Sequence, residues 1–254
     1  MGGVVLHGST LDFSTTATSM NFPFASGCEY LNFFNGTSGN LTRNLIEGKP
    51  QGIVSGTPTA NGQSANFNGS ANYIQTGVAH TSNMTFFAVV MTPSAANDTM
   101  IISNYASPRT DSGTGTTTNG ASLVLNSGTL ARQIAVVRPT AGGADLNSQT
   151  STASAGSLGV IRAVTGRFGT TTNSTDVYVN TSGTSGTIAL AGTNSFSLGS
   201  PFRIGAGYSN VYVNSATTIY CAAIWSYEMS TTTILSVYNY FKAYYASLGT
   251  PIVI

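Results

Sequence analysis

The amino-acid sequence predicts an all-β protein, a sandwich of antiparallel strands with one helix near the C-terminus. Three observations lead to this prediction. Short apolar segments recur with turn residues between them, which is typical of a sandwich or a barrel. Hydrophobic residues make up 41% of the 254 residues, and the plentiful Val, Ile, Tyr and Phe suit pleated sheets. Helical spacing of apolar residues stands out once, after Ser230.

Residues 1–60 form an N-terminal segment with a mixed pattern. The stretches 21–24 and 29–34 are aromatic enough to form short strands, and Asn35-Gly36 predicts a turn. We expect this segment to be either an attachment arm or additional strands of the sandwich. The sandwich itself is expected to occupy residues 61–254.

Apolar runs of strand length predict the strands of the main domain. The continuous runs 84–91 and 100–105 are expected at the centre of a sheet, covered on both faces. Further strands are predicted within 64–69, 73–76, 122–125, 132–138, 159–168, 176–180 and 202–206.

Two long polar stretches, 108–120 and 139–156, are expected to be surface loops. Long loops on a rigid scaffold often carry binding function, and sugars are commonly held by hydrogen-bonding side chains beside an aromatic face. Plain solvated loops, or contact with a neighbouring subunit, are the alternatives. The candidate ligand-binding residues flank these loops and are Tyr105, Arg109, Asp111, Arg138 and Asp145.

A helix is predicted over about 231–247, with Ser230 as its N-cap and with Gly249 and Pro251 ending it. An apolar stripe at helical spacing is expected to pack on the sheet. The stripe consists of Ile234, Leu235, Val237, Tyr238, Phe241, Tyr244 and Tyr245.

The charge content restricts the classes of partner. Only 7% of the residues are charged and the net charge is +1, whereas ordinary soluble proteins have about 25% charged residues. The basic residues are scattered, so nucleic-acid binding is not expected. No apolar run suits a membrane span, and the N-terminus lacks the pattern of a signal peptide. A near-neutral surface favours association, so we expect a homo-oligomer.

The acidic residues give no sign of a glycosidase pair. Glycoside hydrolysis normally uses two carboxylates, and no two acids in this chain lie within four residues of each other. His7 and His80 are the chain's two histidines, and His80 is expected at the surface. We therefore expect a protein that is not an enzyme, with a polysaccharide hydrolase as the weaker alternative.

No cofactor is expected from the sequence. Asp98, Asp111 and Asp145 are candidate calcium donors, but they form no string of ligands. We expect them to cap turns through hydrogen bonds instead. Cys28 and Cys221 are expected to be buried free thiols, since two isolated cysteines without nearby histidines suit no zinc site.

Three stretches together resemble the concanavalin A-like, laminin-G-like jelly-roll group. The first is ANFNGSANYI at 65–74, the second is DVYVN at 176–180 with its glycine delayed to Gly183, and the third is IYCAAIWSYEMS at 219–230. The resemblance covers about residues 60–249. It implies a two-sheet antiparallel jelly-roll sandwich, concanavalin A-like, with one C-terminal helix packed on it.

Within that group the chain looks most like the sandwich domains that bacteriophages carry on tails, fibres and capsid surfaces. The stretches MTFFAVV at 84–90, FRIGAGY at 202–208 and YYASLG at 244–249 carry this similarity. It implies a structural or decorating protein of a phage virion, located at the particle surface. Other virion subunits would be its partners, and host cell-surface polysaccharide a further one. A stand-alone lectin-like module is the alternative.

Overall fold

The structure is a computed structural model that describes residues 20–36, 38–68, 70–138, 140, 142–145, 148–190, 195–210 and 216–254. Residues 1–19 of the N-terminal segment, with His7, lie outside this part of the chain. The described residues form eighteen β-strands, one α-helix and one short 3-10 helix at Ser38–Thr42.

The strands, in chain order, are β1 Cys28–Phe33, β2 Ile53–Ser55, β3 Thr59–Ala60, β4 Ala65–Phe67, β5 Tyr73–Gln75, β6 Met84–Met91, β7 Thr99–Ser103, β8 Ser107–Pro108, β9 Thr117–Thr118, β10 Ala121–Asn126, β11 Leu130–Arg138, β12 Ser148–Ser154, β13 Ile161–Gly169, β14 Ser174–Val179, β15 Thr184–Ala189, β16 Ser195–Phe196, β17 Arg203–Ile204 and β18 Thr217–Trp225.

Two large antiparallel sheets make up the sandwich. The first sheet has the order β15-β14-β13-β6-β18-β4-β3, with β1 also paired to β18. The second has the order β12-β11-β10-β7-β17-β5-β2, with β16 also paired to β11. Strands β8 and β9 form a small separate hairpin. The predicted two-sheet antiparallel sandwich with one C-terminal helix is confirmed.

The main hydrophobic core lies between the two sheets. Alternate residues of β6, such as Phe86 and Val90, meet Ile102, Leu123 and Val137 of the second sheet, all fully buried. The other residues of β6, including Phe87 and Val89, face a second core on the outer side of the first sheet. Strand β6 is therefore covered on both faces, as its continuous apolar run predicts.

Helix α1, Thr231–Ala246, covers that outer side of the first sheet. Ser230 is its N-cap, and the Ser230 hydroxyl accepts a hydrogen bond from the backbone N–H of Thr233. Phe241 stacks on Phe87 with the ring centroids 4.6 Å apart. The predicted cap and the packing of the aromatic stripe are confirmed, although Leu235 points outward and is 55% exposed.

Residues 20–60 contribute strands to both sheets. Strand β1 pairs with β18 and β3 pairs with β4 in the first sheet, while β2 pairs with β5 in the second. The division between residues 60 and 61 stays a prediction of the sequence.

The polar stretch 139–156 differs from its prediction as a loop because it contains β12. Seven of its residues pair with β11 at the edge of the second sheet. Ser151 and Ala153 alternate with exposed neighbours and are buried. Strand β12 consists of Ser, Thr, Gln and Ala, so its inward residues are too small and polar to produce a hydrophobic pattern.

Candidate functional site

Four of the five candidate residues come together at one end of the second sheet, in a mostly buried cluster of charges. Arg109 Nη1 lies 3.1 Å from Asp111 Oδ1, and Arg109 Nη2 lies 2.5 Å from Asp145 Oδ1. Arg138 Nη2 lies 3.0 Å from Asp111 Oδ2. The side chains of Arg109, Asp111 and Arg138 are each 6% exposed or less. Two arginines and two aspartates balance their charges within the cluster.

Asp111 is the centre of this cluster. Its carboxylate accepts hydrogen bonds from the backbone N–H groups of Gly113 and Leu198 as well as from both arginines. Burial raises the pKa of Asp111, but these hydrogen bonds and the charge of Arg138 outweigh burial and hold the pKa below the ordinary 3.8. Asp111 is therefore a carboxylate at neutral pH, with its oxygens occupied by internal donors.

The cluster holds three segments of the chain together. Arg109 Nη1 donates to Ser197 Oγ at 2.8 Å, and Leu198 N–H donates to Asp111 Oδ2 at 2.5 Å. The loop over 104–120 is thereby bonded both to residues 197–201 and to Arg138 at the end of β11. The carboxylates and the Nη groups of the arginines are thus bonded within the protein, and the cluster joins the three segments.

The three aspartates considered as calcium donors each bind other groups of the protein. Guanidinium groups occupy the carboxylates of Asp111 and Asp145, and Asp98 accepts hydrogen bonds from Asn126 and from the backbone of Ser127. Within the described ranges no three His, Cys, Asp or Glu side chains group as metal ligands. These donors therefore do not fit the six to eight oxygen ligands that calcium prefers.

His80 lies inside the same end of the sandwich, so its predicted surface position is wrong. It is 5% exposed and packs edge-on against Phe168 and Phe202. Its Nδ1 accepts hydrogen bonds from Asn104 Nδ2 and from Gly199 N–H. Burial lowers the pKa of His80 to about 3, against a smaller opposing effect of Asp111. His80 is therefore a neutral residue of the core, enclosed by Phe168 and Phe202 and by the segments that contain Asn104 and Gly199.

A row of side chains crosses the outer face of the second sheet. Neighbouring strands pair Ile53 with Gln75, Gln75 with Arg203, and Arg203 with Ser103. The row continues from Ser103 to Ser122. Residues paired across an antiparallel sheet share one face, and the alternate residues of these strands are in the core. Arg203 and Gln75 therefore face outward.

Arg203 is held between two tyrosines on this outer face. Its Cζ lies 3.9 Å from the centroid of the Tyr73 ring and 3.5 Å from that of Tyr208. Nε donates to Gln75 Oε1 at 3.0 Å, and Nη1 donates to the carbonyl of Gly207 at 2.9 Å. Arg203, Gln75 and both tyrosines are partly exposed. We call the set Tyr73, Gln75, Arg203 and Tyr208 the tyrosine–arginine platform.

The turn after β17 returns Tyr208 onto Arg203. Gly205 has a φ of 90°, which favours glycine, and a Cβ on Gly207 would lie 2.7 Å from Met100 Sδ. Tyr208 then donates its hydroxyl to the carbonyl of Pro201 at 2.7 Å. The two glycines therefore allow the close return that stacks Tyr208 on the guanidinium.

The charged cluster and the platform are connected through residues 197–201. Asp111 fixes Leu198, and the carbonyl of Pro201 accepts hydrogen bonds from Tyr208 and from Gln75 Nε2. Tyr105 lies on the platform side, because its carbonyl accepts from the backbone N–H of Tyr208 at 2.8 Å. Its side chain packs beside Met100, Val124 and Ile134 on the outer face.

The candidate residues thus divide into two groups. Arg109, Asp111, Arg138 and Asp145 form the cluster, and Tyr105 lies apart from them beside Tyr208. Sequence reasoning missed Tyr73, Gln75, Arg203 and Tyr208 as a site. A local signal existed in an arginine followed by Ile-Gly-Ala-Gly and a tyrosine, but the partners Tyr73 and Gln75 come from a distant strand.

In the part of the chain that is described, no helix is long and apolar enough to cross a membrane.

Comparison with known proteins reveals a shared fold. No protein-family model matches the sequence, and no curated protein matches it. Among solved structures, the botulinum neurotoxin type G receptor binding domain matches with a TM-score of 0.59 at 13% identity, covering 85% of this chain and 52% of that chain. The botulinum neurotoxin serotype D ligand binding domain, solved in complex with N-acetylneuraminic acid, matches with a TM-score of 0.58 at 12% identity, covering 85% and 51%.

A Trypanosoma rangeli sialidase, solved in complex with 2,3-difluoro-KDN, has a TM-score of 0.56 at 14% identity, covering 84% of this chain and 32% of the sialidase. This chain therefore spans about half the length of the neurotoxin structures and about a third of the sialidase. At such identities the similarity shows the fold alone, which is the β-sandwich described above.

Proposed function

We propose that this protein is a non-enzymatic, glycan-binding β-sandwich of a bacteriophage virion, where it serves as a structural or decorating subunit and assembles as a homo-oligomer. The observation that carries the binding function is the tyrosine–arginine platform. We assign the glycan to this platform, with Tyr105 at its border.

The platform combines the groups that saccharides need. The partly exposed rings of Tyr73 and Tyr208 provide apolar surface with a polar hydroxyl at one end. Arg203 adds a hydrogen-bonding side chain beside them, and Gln75 Oε1 orients it by accepting from Arg203 Nε. The guanidinium and the hydroxyl of Tyr208 are fixed by internal bonds. A preorganised surface of this kind loses little conformational entropy when a ligand binds.

The comparison structures support the same class of ligand. The serotype D domain was solved with N-acetylneuraminic acid, and the sialidase with a sugar analogue. Both share the sandwich fold with this chain, and the step from their ligands to this protein is part of the proposal.

The acids of the charged cluster support a protein without hydrolase activity. A glycosidase acid needs a raised pKa, whereas the pKa of Asp111 is lowered. Asp145 is committed to Arg109 at 2.5 Å. Neither carboxylate has the environment of a general acid, which supports the proposal that the protein is not a hydrolase.

The virion location and the assembly rest on the sequence. The stretches at 84–90, 202–208 and 244–249 resemble phage sandwich domains, and the near-neutral composition favours association. Immunogold labelling of phage particles that encode this chain tests the location, and label found only in unassembled lysate protein would contradict it. A stable monomer by light scattering in dilute solution would contradict the homo-oligomer.

The binding function is tested on an array of bacterial surface polysaccharides. We expect saturable binding of the purified chain, weakened about tenfold or more in Tyr208→Ala because an aromatic contact is lost. Tyr178→Ala is the matched control, since Tyr178 is also partly exposed and lies near an arginine, Arg167 at 5.6 Å, but on the first sheet. A blank array with folded protein, or equal loss in both variants, would overturn the assignment.

A further inference from the structure

Arg203 carries a positive charge that the described residues do not neutralise. Arg109, Arg138 and Arg167 each form an ion pair with an aspartate. No such pair with a carboxylate is present for Arg203 among the described residues. Its hydrogen bonds go instead to the neutral acceptors Gln75 Oε1 and Gly207 O. The platform therefore has a net positive charge at its centre.

The two tyrosines determine from which side a ligand can reach this charge. Tyr73 and Tyr208 cover the flat faces of the guanidinium at 3.9 and 3.5 Å, so approach is restricted to its edge. A guanidinium has five N–H donors, and within the described ranges the two bonds named above use one from Nε and one from Nη1. Among the described residues, one donor of Nη1 and both donors of Nη2 are left without a partner, and all three lie in the plane of the guanidinium.

An in-plane set of donors on a fixed guanidinium matches the geometry of a carboxylate. Such charge-assisted hydrogen bonds are about twice as strong as neutral ones, and arginine is preferred to lysine where planar recognition is needed. Stacking between the rings holds the group in one orientation, so that little side-chain entropy is lost on binding.

We propose that the platform selects acidic glycans, and that Arg203 binds the carboxylate of a uronic or sialic-type sugar at the edge of its guanidinium. The sugar ring then lies along Tyr73 or Tyr208, whose exposed surfaces flank that edge. This inference rests on the proposed glycan-binding function and specifies the chemical class of the ligand.

The test compares each arrayed bacterial polysaccharide with its own carboxyl-reduced form, in which the acid has become a primary alcohol. We expect binding to native uronate- or sialate-containing polymers, and a loss of about tenfold or more in affinity after reduction. Titration calorimetry of the best binder gives the dissociation constants. The comparison changes the ligand and not the protein, so it does not depend on how any variant folds.

Variants locate the effect at Arg203. Arg203→Gln should abolish the preference for the native polymer, and Arg203→Lys should retain only part of it because the charge remains without the planar donors. Lys242→Gln is the control, since it removes one exposed positive charge from the helix on the first sheet. It should leave the preference unchanged.

The possible outcomes separate this inference from the proposed function. Equal binding of native and carboxyl-reduced polymers, still weakened by Tyr208→Ala, would overturn the acidic preference and leave glycan binding in place. A preference that Arg203→Gln does not alter would also overturn it. A blank array would overturn both.

Discussion

Asp111 and Arg138 are 27 residues apart in the sequence, yet Asp111 Oδ2 and Arg138 Nη2 lie 3.0 Å apart with 6% and 4% of their side chains exposed. The same carboxylate binds Arg109 and the backbone of Leu198. Asp111 is therefore the shared partner of both arginines, Asp145 supplies the second negative charge through Arg109, and Asp111 also binds the segment that leads to the platform.

The first prediction concerns the buried carboxylate of Asp111. We expect Asp111→Asn to lower the free energy of unfolding by about 3 kcal/mol, because it leaves the buried guanidinium of Arg138 without a carboxylate partner and Arg109 with Asp145 alone. Urea denaturation at pH 7 measures the change. Glu47→Gln, an exposed carboxylate changed in the same way, should stay within about 0.5 kcal/mol of the natural chain. Equal stability of both variants would show that Asp111 has no such role.

The second prediction concerns the cap of helix α1. The Ser230 hydroxyl accepts from Thr233 N–H at 3.1 Å, so Ser230→Ala should lower the free energy of unfolding by about 1 kcal/mol. Ser236→Ala is the matched control. That hydroxyl donates to the carbonyl of Thr232 within the helix, and alanine has the better helix propensity. A thermal scan that showed the same loss in both variants would argue against the cap.

The third prediction concerns His80 and pH. Its pKa is lowered from 6.5 to about 3 in the folded protein, so below pH 6.5 the unfolded chain binds a proton that the folded chain excludes. Stability should therefore fall as the pH drops from 6.5 to 5, by at most about 1.4 kcal/mol per pH unit from this residue. Asp111 contributes to the pH dependence of stability at lower pH than His80 does, since its pKa in the folded protein is below 3.8.

Denaturation midpoints at pH 7, 6 and 5 measure this dependence. His80→Gln should be less stable at pH 7, because the packing of the ring is lost, but its stability should change less with pH over this range. The same slope in the variant and in the natural chain would assign the pH dependence to other groups.

The fourth prediction concerns the two free thiols. Cys28 and Cys221 are buried and not bonded to each other, and burial raises the pKa of each thiol to about 12. Since the thiolate is the reactive form, a disulfide reagent at pH 8 should modify neither in the folded protein and both in denaturant. Leu235→Cys, at a 55% exposed position, should react at once. Rapid native labelling of either natural cysteine would contradict their burial.

Predictability from sequence differed between elements for physical reasons. Strand β6 and helix α1 have strong local signals, a long apolar run and a capped apolar stripe, and both formed as predicted. Strands β12 and β15 consist largely of Ser, Thr, Gly and Ala, and β15 was not predicted at all. Edge strands of this kind form because a neighbouring strand supplies their hydrogen-bond partners, which local sequence does not reveal.

The candidate site residues were likewise predictable only in part from local sequence. Four of the residues proposed from their proximity to the long loops form ion pairs with one another. The sequence could not tell a ligand site from an internal ion-pair network. That distinction depends on which groups their donors and acceptors meet. Asp111 meets Leu198 from 87 residues away, and this contact follows from the fold as a whole.

The sequence by itself determined the all-β class, the helix with its cap and the strands that form the core, because apolar spacing and capping act between residues close in the chain. Only the tertiary structure decided that Arg203 lies between Tyr73 and Tyr208 and bonds Gln75, 128 residues earlier. Strand order sets such contacts, and that order depends on how the two sheets bury their apolar faces together.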